Sequence, residues 1–144
     1  MPGQIFGKGT RLQRSDMGSP PTWATIAEVK SITGPSMKGA TLVVTSHDTL
    51  GNWEEKLAGL LDAGELTFAV NFIPSHVTHN ATVGFVADFV NRTKRDHRLI
   101  FPDGPQTTWN FPNAQVTGCP ITAPVDNVLE SNVTLTITEP PILA

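Results

Sequence analysis

Few residue groups in this chain have the types and spacing that chemistry requires. Ser75-His76 with His79 comes first, because histidines at i and i+3 can face one ion and invite a metal or catalytic reading. No GxSxG elbow surrounds a serine, no HExxH is present, and a third ligand would have to come from Asp88 or His97. Both histidines therefore read as solvent-exposed residues at a helix start. The run from Gly3 through Gly7-Lys8-Gly9-Thr10 imitates a phosphate loop, but a residue is missing between the glycines, glycine stands where a hydroxyl should follow the lysine, and no strand precedes it. It reads as a flexible leader over about residues 1–9. Cys119, beside a proline and with no histidine near it in sequence, reads as a small buried hydrophobe. Asn80, Asn91 and Asn132 each open an N-x-T triplet, and without a secretory signal these are chance matches. No catalytic residue, metal or cofactor is expected.

Two charge groupings remain. Arg92, Lys94, Arg95 and Arg98 are the basic cluster, diluted by Asp96; being short and lacking interleaved aromatics, it reads as charge that complements a helix C-terminus rather than a phosphate site. Asp48, Glu54, Glu55, Asp62 and Glu65 stand against Lys56, so an acidic segment on one copy could meet the basic helix end of another.

The elements that must position these groups are mostly strands. The 144 residues are 39% hydrophobic and 16% charged, with twelve glycines and twelve prolines, a composition of short strands and turns in one domain spanning 1–144. Ten Lys and Arg against thirteen Asp and Glu give a net charge of -3, which disfavours tight binding of nucleic acid. One cysteine excludes an intramolecular disulfide and a Cys-rich zinc site. No apolar run nears the ~18 residues of a membrane span, and no charged-then-apolar signal opens the chain, so a soluble protein made in the cytoplasm is expected.

Residues 97–117 read as a hairpin: Leu99 and Phe101 share one face, Trp109 and Phe111 do so after the break, and Asp103-Gly104 between prolines offers a residue tolerant of positive φ. Residues 10–14 make a weak strand, and 23–32 a second whose alternation Glu28 and Lys30 disturb. Residues 37–64 form a long arm with strand character at 41–45 and short-helix character at 53–61. The arm carries Leu42, Val43, Val44, Leu50, Trp53, Leu57, Leu60 and Leu61, an apolar load that either packs on its own domain or is covered by another subunit. Leu66, Phe68, Val70 and Phe72 alternate as a strand, and Val83, Val86 and Val90 carry helical spacing within 77–94, with Ser75 or Thr78 as a cap. Val133, Leu135 and Ile137 alternate with Thr134, Thr136 and Thr138 in a final strand.

In that order and spacing, the chain resembles the major tail tube proteins of long, flexible-tailed bacteriophages from Gly9 onward. The likeness is carried by Gly64-Glu65-Leu66-Thr67-Phe68 with Asn71-Phe72, a helix, Phe101-Pro102-Asp103-Gly104 with Trp109-Asn110-Phe111-Pro112, then Val116-Thr117-Gly118. Residues 132–138 followed by Glu139-Pro140-Pro141-Ile142 complete it. The resemblance implies a non-enzymatic, mainly β fold with one flanking α-helix, a β-sandwich or curved pair of sheets. It further implies hexameric rings stacked into a tube in the virion tail, around a tape-measure protein and later DNA, with tail terminator and baseplate proteins as partners. Without an accessory C-terminal domain the tube would be smooth.

The residues agree with this reading. A closing ring and a stack each need a heterologous interface, which an apolar arm without a home supplies. An acidic chain lets DNA pass without holding it. Unpaired strand edges become joints between sheets, and Thr134, Thr136 and Thr138 are candidates for a lumen or seam face, or simply for a solvated one. The alternatives are a ring-forming tail adaptor or capsid decoration protein, and the tube of a contractile secretion machine.

Overall fold

The computed structural model describes residues 4–48, 51 and 53–143. Strand β1 (Arg11–Ser15) buries Leu12 and leads through a loop to β2 (Trp23–Thr25) and β3 (Val29–Thr33). The single strand expected over 23–32 is thus two. Glu28 takes a left-handed backbone, φ 59°, and turns the chain between them.

Strands β4 (Lys38–Val43) and β5 (Lys56–Asp62) pair only with each other, as a separate antiparallel hairpin. The helical character expected at 53–61 is not realised. Leu57, Leu60 and Leu61 fit helical spacing, but Gly59 costs a helix about 1 kcal/mol and the β-branched run beside it offers a ladder, with Leu42 opposite Leu57 and Val43 opposite Lys56. The hairpin leaves the body through a neck in which Ser36 N–H and Oγ both donate to the Glu65 carbonyl, at 3.0 and 3.2 Å. Gly64 turns there with φ 72°, its Cα so close to the Ser36 carbonyl that a Cβ would collide.

Strand β6 (Glu65–Asn71) buries Leu66, Phe68 and Val70 on the expected face. Helix α1 (Phe85–Asn91) is far shorter than the 77–94 expected. Upstream, the Asn80 side-chain oxygen accepts from the N–H groups of Thr82, Val83 and Gly84 at 3.2, 2.8 and 3.0 Å, which draws the chain into turns. Gly84, not Ser75 or Thr78, is the N-cap, and having no side chain it makes no capping bond of its own.

Strands β7 (Lys94–Ile100) and β8 (Thr108–Gly118) form the expected hairpin, with Leu99 opposite Trp109. Its turn works differently from expectation: Gln106, φ 53°, takes the left-handed position instead of Gly104, while the Asp103 carboxylate accepts from Thr107 N–H at 2.6 Å and from its hydroxyl at 2.5 Å. Strands β9 (Ile121–Thr122), β10 (Glu130–Thr136) and β11 (Ile142–Leu143) complete the chain.

The main sheet runs β2-β1-β7-β8-β10-β6-β3, with β9 against β10 and β11 against β8. Its first and last strands are joined by the short corner 26–28, so the sheet must curl round on itself. Inside lie Leu12, Phe68, Leu99, Phe111, Val133 and Leu135, and α1 seals one side with Phe85 edge-to-face on Phe68. The result is mainly β with one flanking helix, in the curved-sheet form that the resemblance implies.

Candidate assembly surfaces

Among the described residues, the large apolar side chains of β4, β5 and the segment between them stand mostly in solvent. Both β4 and β5 are exposed nearly throughout, with Leu42, Val43, Val44 and Leu57 about half exposed or more, and Leu60 and Leu61 each 87% exposed. Trp53 stands 82% in solvent near the tip. Leu50 lies outside the described residues. Glu54 and Glu55 are exposed; Glu54 meets Lys56 only loosely, at 3.9 Å, and the Glu55 N–H donates to Thr45 Oγ1 at 2.9 Å. Beside the arm's base, Met37, Leu61 and Ala63 face Ile137, Pro140 and Leu143 across an open groove of about 630 Å³, a juxtaposition that linear spacing does not reveal.

The four basic residues do not form one patch at a helix end. Arg92 is the exposed C-cap of α1, in a left-handed conformation, and Lys94 is exposed at the start of β7. Arg95 and Arg98 belong to β7 and are engaged. Arg95 Nε donates to both Asp88 oxygens at 2.9 and 3.0 Å, while Arg98 Nε donates to Gln13 Oε1 at 2.6 Å and its guanidinium lies 4.3 Å from the Trp23 ring centre. Asp88 also receives Arg14 Nη2 at 2.6 Å, so a buried carboxylate carries two guanidinium groups and ties α1 to β1 and β7. Burial pulls the Arg14 pKa down and Asp88 opposes that pull. An aspartate within an apolar helical run was the one signal of this network in the sequence.

His76, His79 and His97 are structural, and His79 corrects the expectation of exposure, since it is fully buried. Its Nδ1 accepts from Ile73 N–H at 3.1 Å and its Nε2–H donates to the Ala27 carbonyl at 2.7 Å, so a neutral ring pins the β2–β3 corner. His76 Nδ1 accepts from Thr78 N–H at 3.1 Å. His97 is buried on β7, pushed down to about 4 chiefly by desolvation, and its Nδ1–H donates to the Arg95 carbonyl at 3.0 Å. Among the described residues no three His, Cys, Asp or Glu side chains are placed to hold a metal. Cys119 is half-buried against the core, and burial raises its thiol pKa.

Thr134 and Thr136 point away from the core on β10, half-buried, and Thr136 Oγ1 lies 2.9 Å from Thr117 Oγ1. Thr138 follows β10, exposed, and its hydroxyl donates to the Asn113 carbonyl at 3.3 Å. Among the described residues, no helix is long and apolar enough to cross a membrane.

Solved structures share this fold. The chain is similar to one from the tail of an empty gene transfer agent particle refined with C6 symmetry, with TM-score 0.75, 19% identity, and 98% of this chain and 99% of that chain covered. A chain from the virion of the native gene transfer agent gives TM-score 0.72 at 15% identity, covering 98% of this chain and 99% of that one. The sheath/tube terminator of an extracellular contractile injection system gives 0.71 at 17%, covering 98% and 96%. No curated protein matches the sequence. Residues 7–144 match the family model described as lambda phage tail tube protein. Because that match spans nearly the whole chain, from ahead of β1 through the curled sheet to β11, the chain belongs to the lambda phage tail tube protein family, a family of structural proteins of the virion tail and not of enzymes.

Proposed function

We propose that copies of this chain close into hexameric rings and that the rings stack into the hollow tube of a phage tail. The chain acts as a single tail-tube domain with an assembly arm at about 37–64 and a leader at about 1–9. The observation that carries this reading is the β4–β5 hairpin, a covalently tethered arm that pairs only with itself and concentrates exposed leucine and valine side chains on one projecting element. The arm residues Leu42, Val43, Val44, Trp53, Leu57, Leu60 and Leu61 are buried against neighbouring copies. Glu54 and Glu55 near its tip meet Arg92 and Lys94, the two exposed cations of the basic set, with Arg95 and Arg98 held inside their own subunit. The outward threonines Thr134, Thr136 and Thr138 face the lumen or a seam.

The gene transfer agent tail that this fold resembles was refined with C6 symmetry, and other matches come from a sheath/tube terminator, a tube-terminating cap and a baseplate, which supports self-assembly flanked by terminator and baseplate partners. A tape-measure protein fills the lumen during assembly and DNA passes later, unretained because the chain carries net charge -3. Excising residues 38–62 and bridging the neck with a short Gly-Ser linker tests the arm. Lys38 lies opposite Asp62, so the bridge spans one strand separation. The shortened protein should fold with an unchanged melting temperature yet pellet no tubes. Loss of the fold would make the arm part of the core, and normal tubes would remove it from assembly.

A further inference from the structure

A hairpin that merely rests on a neighbour needs one apolar face; this one has two. Side chains of residues directly opposite in an antiparallel pair share a face, and successive residues alternate. Leu42 stands opposite Leu57, and Val44 N–H donates to the Glu55 carbonyl at 2.8 Å, which puts Leu42, Val44 and Leu57 together. Thr41 opposite Ala58, Val43 opposite Lys56 and Gly39 opposite Leu61 define the other face. Between these pairs Ala40 faces both Gly59 and Leu60, a bulge that keeps Leu61 with Val43 instead of sending it across. Two glycines corroborate the assignment: a Cβ on Gly59 would lie 3.1 Å from the Ala40 Cβ, and one on Gly39 would lie 3.3 Å from Leu61 Cδ2.

Both faces are in water in the single subunit. Leu42 and Leu57 are 53% and 57% exposed on the first, Val43 and Leu61 61% and 87% on the second. Charge is confined to the two ends, with Lys38 and Asp62 at the neck and Glu54, Glu55 and Lys56 toward the tip, so the middle of the hairpin is uncharged on both sides, with Thr41 its one polar side chain. Strands that read as near-continuous apolar runs are those covered on both faces. A hairpin laid on one surface would leave one of these rows wet.

Resting on the reading of 37–64 as an assembly arm, we infer that the arm is clamped between two other copies of this chain, one covering the Leu42–Leu57 face and a different one covering the Val43–Leu61 face. Each arm then ties three subunits rather than two, and no arm can be fully buried at the end of an incomplete ring. Growth in whole rings follows from that geometry, because a subunit added beside a gap buries one face of an arm and leaves the other exposed.

The test uses the full chain with Cys119→Ser, carrying either Leu57→Cys or Val43→Cys, and measures the rate of maleimide labelling in free subunits and in pelleted tubes. Each cysteine should react fast in the free subunit and roughly tenfold or more slowly in tubes, as buried sites do. If a variant does not assemble alone, it is added as a minority to unmodified chain and its labelling in the pellet is read by mass spectrometry. Slowing at both positions supports the clamp. Slowing at only one overturns it and leaves the arm as an assembly device lying on a single neighbour. Slowing at neither overturns the clamp and the arm reading together.

Discussion

Leu60 and Leu61 offer a clean separation of subunit stability from assembly, because both are 87% exposed in the single chain. Replacing both with serine removes almost nothing that the folded subunit buries, so its melting temperature should hold, within the roughly 0.5 kcal/mol typical of surface changes. In the tube the same side chains leave water. Full burial of a leucine is worth about 2 kcal/mol, so 87% of that for two residues gives about 3.5 kcal/mol gross. Fixing two leucine rotamers returns about 1.5 kcal/mol, leaving about 2 kcal/mol per subunit. At 1.4 kcal/mol per factor of ten, the concentration at which tubes appear should rise roughly thirtyfold. Sedimentation of a dilution series of both proteins, beside thermal unfolding of each, reads the two quantities. A drop of several degrees in melting temperature with unchanged tube formation would refute the reasoning, since it would mean that the leucines serve their own domain.

Three further outcomes follow from named contacts. Glu54→Lys with Glu55→Lys should slow tube growth measured by light scattering, most at low ionic strength where charges at the tip are least screened; equal growth at all salt concentrations would show that these carboxylates only solvate the tip. Asp88→Asn leaves two buried guanidinium groups without their anion and should cost about 3 kcal/mol in urea unfolding, and Arg95→Gln less, because Arg14 keeps its 2.6 Å bond to Asp88. Equal costs would mean that Arg14 contributes little. His97 is neutral in the folded chain, pushed down to about 4, whereas in the unfolded chain it protonates near 6.5. The unfolded state therefore takes up the proton first as pH falls, so stability is full above about 6.5 and drains by about 3 kcal/mol towards pH 4. His79, also lowered chiefly by desolvation, adds in the same direction. Urea midpoints at pH 7 and 4.5 measure the loss, which His97→Gln should reduce; an unchanged loss would assign it elsewhere.

The strands with a buried face were legible because burial writes its period into the residues. Leu66, Phe68 and Val70 alternate with the small or polar Thr67, Ala69 and Asn71 and are buried in the same alternation, and Val133, Leu135 and Ile137 alternate with threonines and are buried likewise. The β7–β8 hairpin was legible for a second reason, its proline-flanked turn, although the strained position fell on Gln106. The arm's β5 was misread because a strand without a buried face has no period to show, and WEEKLAGLL happens to place leucines at helical spacing. The helix was overextended because the valines at 83, 86 and 90 continue a pattern that the side chain of Asn80 and the tight approach at Gly84 break three-dimensionally. His79 could not be read at all: its partners Ile73 and Ala27 are backbone groups brought to it by the fold. Of the assembly surface, the apolar content of the arm was visible in sequence, and its division into two faces was not, because that depends on the bulge opposite Ala40.

The central claim is that this tail tube family chain polymerises through its arm into stacked rings. Negative-stain electron microscopy of the purified protein, fresh and after concentration, addresses it most directly. Hollow tubes of uniform width with a regular axial repeat and six-fold end views are the expected images. Rings that never stack at any concentration, with or without a preformed tail initiator added, would contradict the claim and favour an adaptor or decoration role.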